Sequence, residues 1–152
     1  EGRLVLADAI SYGIKHFQPQ AIIDMATLTG ACMVALGDRY SGVFSNNEKL
    51  LAAIKKSADR TSELVWELPI HPDYEKRLKS EKADMANADV KSRMAGASTA
   101  AAFLKKFADK TPWLHLDIAG TAFGNSPRAH DHLGASGFGL RLVVDYLSNL
   151  SD

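Results

Sequence analysis

Glu1 and Arg3 set a carboxylate and a guanidinium two residues apart, in front of an amphipathic stretch. A carboxylate is a hard oxygen ligand suited to a divalent cation. Arginine grips planar anions through paired hydrogen bonds. The same residues also suit a plain helix start, where an acidic side chain meets the positive end of the macrodipole. His115-x-Asp117 puts an imidazole and a carboxylate on one face of a strand. A histidine base needs a nucleophile, and the chain has no G-x-S-x-G, H-E-x-x-H or phosphate-loop pattern to supply one. Asp117 falls at a strand's C-terminal end, where ligands bind in open α/β sheets; the alternative is that it caps the next turn. His130-x-His132 has chelating spacing for zinc but no third ligand nearby. Cys32 has no flanking feature that would lower its pKa and reads as a small buried hydrophobe. In Thr27-Leu28-Thr29-Gly30, a strand end followed by glycine either presents a carbonyl and an N–H to an extended peptide or makes a tight turn.

These residues need a scaffold, and the apolar spacing supplies one. Leu4, Leu6, Ala7, Ile10, Ile14 and Phe17 recur at helical period, ended by Gln18-Pro19. Residues 21–28 form a short apolar run that reads as a buried strand, and 41–45 as another. Residues 31–36 fit a helix or a strand. The spacing predicts helices over 47–60, 73–82, 96–107 and 137–150, an extended 64–68, and a firm strand over 113–118. Residues 85–93 and 124–132 read as loops. Strands alternating with helices imply an α/β class, a three-layer α/β/α arrangement with helices on both faces of a mixed sheet.

Composition narrows the function classes. The 152 residues carry 18 Lys plus Arg and 18 Asp plus Glu, a formal net charge of +0, so no basic field draws nucleic acid or an anionic membrane. With 46% hydrophobic residues the chain can bury a core, which a disordered tail cannot. The longest apolar stretch, 21–37, is interrupted by Asp24, Thr27 and Thr29 and does not read as a spanning helix. A single cysteine excludes an internal disulfide and fits a cytoplasmic protein. Glu1 enters the first helical pattern with no Ser, Thr, Asp or Asn in front of it, so the chain is expected to begin inside something larger.

Glu1-Gly2-Arg3-Leu4 and Thr27-Leu28-Thr29-Gly30-Ala31 resemble the leucyl aminopeptidase (cytosol aminopeptidase) family of two-metal exopeptidases. The chain starts at the Glu of that family's Asn-Thr-Asp-Ala-Glu-Gly-Arg-Leu signature. Ala83-Asp84-Met85-Ala86-Asn87, Ala95-Gly96-Ala97-Ser98-Thr99 and His115-Leu116-Asp117-Ile118-Ala119-Gly120 follow in the family's order. The resemblance implies hydrolysis of the N-terminal residue, leucine or another apolar one, from peptide substrates. It implies two divalent metal ions (zinc or manganese, or magnesium) and a bridging water. By position, Glu1 resembles the carboxylate that bridges both metals, and Arg3 the arginine that holds a catalytic bicarbonate. Leu28 resembles the residue whose carbonyl contacts the substrate, and Gly30 the one whose N–H does so. Thr27, Gly30 and Ala135 resemble walls of the side-chain pocket. Family members assemble as homo-hexamers.

The family's remaining ligands, a lysine and three aspartates, and its catalytic lysine all precede the position of Glu1. Residues 1–152 are therefore expected to be the C-terminal portion of a two-metal aminopeptidase catalytic domain, inactive alone. Two rival classes stand beside this: a non-catalytic assembly module of the same fold, and a binder of another ligand along the 27–30 edge.

The apolar strands at 21–28 and 113–118 want cover on both faces, and an unpaired sheet edge templates association. Alone, the 152 residues are expected to self-associate, with little charge repulsion to resist it. Light scattering at low micromolar concentration checks this; a monodisperse monomer with low binding of an apolar dye contradicts it.

Overall fold

A computed structural model describes residues 1–89, 91–92, 94–124 and 134–150. The elements run α1 (Gly2–Phe17), β1 (Ile22–Ala26), α2 (Gly30–Leu36), β2 (Ser41–Ser45), α3 (Glu48–Thr61), β3 (Val65–Glu67) and α4 (Pro72–Lys76). Then come α5 (Gly96–Ala108), β4 (Trp113–Asp117), β5 (Phe123–Gly124), β6 (Gly134–Ala135) and α6 (Leu140–Ser148). Four strands form one mixed sheet in the order β1-β4-β2-β3. β1 runs parallel to β4, β4 antiparallel to β2, and β2 parallel to β3.

Alternation along the strands divides the core in two. On one face Phe44 and Trp113 pack with Ala7 and Ile10 of α1 and with Phe103 and Leu104 of α5. On the other, Val43, Leu114 and Leu116 meet Leu50 and Ile54 of α3 and Leu142 of α6. Every residue of β4 is buried, as a central strand covered on both faces requires. Ala100, Ala101 and Ala102 are fully buried, and their small side chains let α5 lie close to the sheet. The expected α/β/α layering is present.

Several boundaries differ from those the sequence predicts, each for a local reason. Glu1 is itself the cap of α1: its carboxylate accepts from Arg3 N at 2.9 Å. β1 stops at Ala26 because the N–H groups of Leu28 and Thr29 turn to the Asp117 carboxylate instead of a ladder partner. Residues 31–36 resolve as helix, with Thr29 as cap through a bond from Cys32 N. The helix expected over 73–82 ends at Lys76. Beyond it, Leu78 is buried and its carbonyl accepts from Ala86 N, and the Ser80 hydroxyl accepts from Lys82 N and Ala83 N. α6 begins only at Leu140, because Gly137 and Gly139 take φ of 67° and 93°. A Cβ at position 139 would lie 2.5 Å from Met25 Sδ.

The sheet centre holds a buried polar row. Asp24 on β1 faces His115 on β4, which faces Phe44 on β2. Asp24 Oδ2 accepts from Trp113 Nε1 at 2.6 Å, and Asp24 Oδ1 lies 2.5 Å from His115 Nδ1. The imidazole is stacked with both Trp113 and Phe44. Its Nε2 is buried and has no hydrogen-bond partner. Removing the carboxylate strands two buried donors. Asp24→Ala is expected to lose about 3–5 kcal/mol of stability, read from urea denaturation; a loss below about 1 kcal/mol would show the row to be dispensable.

Candidate active site

Two segments meet at the C-terminal end of β1. The first turn of α1 brings Glu1 and Arg3, and Ala26, Thr27 and Leu28 follow from the strand. Together with Leu6 they line a cavity of about 530 Å³. A strand's C-terminal end, at the edge of a layered α/β sheet, is where such folds hold ligands.

Glu1 is fixed by its bond from Arg3 N but remains 45% exposed, so its carboxylate can still reach a ligand. That backbone N–H bond, helped by the Arg3 charge, holds its pKa below the ordinary glutamate value. Arg3 is only 18% exposed. Its Nη1 donates to the Asn87 carbonyl at 2.7 Å, and its Nε lies 3.4 Å from Glu1 Oε1, an ion-pair contact without hydrogen-bond geometry. The loop that contains Asn87 therefore sets where the guanidinium sits.

The 27–30 turn is organised from below. Asp117, fully buried at the end of β4, accepts at Oδ1 from Leu28 N (3.1 Å), Thr29 N (3.3 Å) and Ala119 N (3.2 Å). Its Oδ2 accepts from the Thr29 hydroxyl at 2.7 Å. Asp117 thus does cap the turn after its own strand, and also reaches across to its neighbour's. Cys32 packs behind this turn, its thiol pushed up to about 11 by burial and by the Asp117 charge, which leaves it unreactive.

Among the residues singled out from sequence, Glu1, Arg3, Thr27 and Leu28 share one cavity. Gly30 is exposed in the first turn of α2, outside that lining. Ala135 stands on β6, paired with Phe123 and exposed, and does not line it either. His115 pairs with Asp24 and not with Asp117, because cross-strand neighbours on one face lie closer than two positions along one strand. His130 and His132 lie outside the described residues. Asn87 carried no signal as a partner of Arg3, since a backbone carbonyl has no sequence mark. Among the described residues no group of three or more His, Cys, Asp or Glu is placed to hold a metal ion.

The sequence pattern of the cytosol aminopeptidase family, catalytic domain, matches residues 1–144. The chain belongs to this family. A probable cytosol aminopeptidase of Cenarchaeum symbiosum (strain A) is 54% identical over 151 residues, which cover 97% of this chain and 30% of that protein. One from Geobacter sp. (strain M21) is 50% identical over 147 residues, covering 97% and 29%. One from Rhodopseudomonas palustris (strain BisB18) is 49% identical over 150 residues, covering 96% and 30%. The chain thus spans under a third of the length of these relatives. No helix among the described residues is long and apolar enough to cross a membrane.

The geometry makes a prediction about Glu1. A carboxyl whose pKa is lowered on folding adds stability above its unfolded value of 4.5, lost as pH falls through the lower folded value. NMR titration of the Glu1 carboxyl should give a midpoint below 4.5, and Arg3→Ala should keep most of the depression, since the backbone N–H is its largest cause. A midpoint that returns fully to the ordinary value in Arg3→Ala contradicts this.

Proposed function

We propose that the chain is the C-terminal portion of the catalytic domain of a metal-dependent aminopeptidase, which removes leucine or another apolar residue from the N-terminus of peptides. The carrying observation is the convergence of Glu1, Arg3 and the 27–28 turn on one cavity, in a chain that the family's catalytic-domain pattern matches nearly end to end.

The residues fit a divalent ion only in part. Glu1 has the right chemistry, a hard, anionic and accessible oxygen, but each ion needs about three protein ligands or more, and the described residues offer no such group. The other ligands would come from a preceding segment of a longer polypeptide. Two metals, when bound, would polarise the scissile carbonyl and lower the pKa of a water. The chain's own residues act around that chemistry. The Arg3 N–H keeps Glu1 anionic and oriented. With Nη1 committed to Asn87, Arg3 has Nη2 to offer an anion such as bicarbonate beside the peptide. Thr27 and Leu28 form a wall for the peptide's first residue, and the family resemblance adds Gly30 and Ala135 to the same pocket. A homo-hexamer in the cytosol is the assembly proposed for the whole enzyme.

The test compares the isolated chain with the longer polypeptide. Isolated, it should release no leucine chromophore with added manganese or zinc. In the longer polypeptide, Glu1→Gln should lose metal affinity and nearly all turnover. Arg3→Lys should keep metal and lose on the order of 10²-fold in kcat, since lysine keeps the charge but not the planar guanidinium that can bond the Asn87 carbonyl and an anion at once. Equal metal loss in both variants would contradict the separate roles.

A further inference from the structure

We propose that Asp117 is a positioning residue for the peptide substrate: it aims the backbone carbonyls of Thr27 and Leu28 at the cavity. The inference rests on the reading that the 27–28 turn binds the peptide. Its evidence is a conflict between chemistry and place. A fully buried carboxylate is costly unless its charge is met by donors, and Asp117 collects four: three from Leu28 and Thr29 and the fourth from Ala119 N.

The direction of those donors matters more than their number. In a trans peptide the N–H of one residue and the C=O of the residue before it point opposite ways. Leu28 N–H aimed inward at Asp117 turns the Thr27 carbonyl outward, and Thr29 N–H aimed inward turns the Leu28 carbonyl outward. Thr27 and Leu28 are cavity-lining residues. Two acceptors are thereby presented to N–H donors of a bound peptide, by a side chain that never touches it. The Thr29 hydroxyl closes the arrangement: it donates to Asp117 Oδ2 while accepting from Cys32 N at 3.0 Å, so the turn is held to α2 as well as to β4.

The role differs from that of a general stabiliser in what it should change. Misaimed carbonyls weaken peptide binding with the metal-bearing part of the site intact, which raises KM and leaves kcat alone. In Asp117→Asn the amide nitrogen replaces an acceptor oxygen, so Thr29 Oγ meets a donor instead of its acceptor. In the full-length enzyme, with a leucine chromogenic peptide as probe, Asp117→Asn should raise KM about tenfold with kcat within about threefold and metal content unchanged. Thr29→Val should do the same, and Thr29→Ser, which keeps the hydroxyl, should restore a near-native KM. The double variant Asp117→Asn/Thr29→Val should be no worse than the worse single change, because both break one network. An unchanged KM in folded, metal-replete Asp117→Asn overturns the proposal, as do additive effects in the double variant. If Asp117→Asn does not fold, the Thr29 pair decides: equal KM for Val and Ser overturns it, and a raised KM for Val alone supports it. Full turnover in Glu1→Gln would overturn the functional reading and this inference together. An inactive Glu1→Gln beside an unchanged KM in Asp117→Asn would overturn this inference alone.

Discussion

β1 and β4 lie side by side with Asp24 facing His115 and Ala26 facing Asp117, and the rest of the molecule is arranged around that register. A shift of one residue would turn the polar row to the opposite face, because side chains alternate across a strand. In the observed register the Asp24 carboxylate meets Trp113 Nε1 and His115 Nδ1. Two positions further on, Asp117 comes level with the end of β1 and takes the Leu28 and Thr29 N–H groups of the departing chain. The buried row thus fixes the pairing, and the pairing fixes the turn that lines the cavity.

The same logic explains what could be read from sequence. Period alone located α1, α3, α5 and the two core strands, because each has a continuous apolar face to bury. It overran at 77–82 and 137–139, where a buried Leu78, a Ser80 turn and two glycines of positive φ end or delay the helix. The Phe123–Gly124 and Gly134–Ala135 ladder was invisible, since two-residue strands carry no period. At the site, Glu1, Arg3, Thr27 and Leu28 were legible through the family's motifs. Their supports were not. Asn87 acts through a carbonyl, and Asp117 acts across a strand pair, so both depend on tertiary placement.

The close contacts show how little slack surrounds this arrangement. A Cβ at Gly120, three residues past Asp117, would fall 2.0 Å from the Gly37 carbonyl oxygen. The backbone leaving β4 is pressed against the link from α2 to β2, and no larger residue fits there without moving one of them. Thr121 next to it shares a buried hydroxyl pair with Ser41 at the start of β2. The turn after Asp117 is therefore anchored on its far side too.

The β1–β4 register also sets a schedule for the chain's birth. Asp24 and His115 are 91 residues apart in sequence, with α2, β2, α3, β3, α4 and α5 between them. At roughly 5–20 residues per second, a ribosome needs about 5–20 s to travel from one to the other. Throughout that interval β1 lacks its β4 neighbour and its carboxylate has no imidazole. Contacts this distant in sequence slow folding, and the side of β1 that pairs with β4 stays open until Trp113 and His115 emerge.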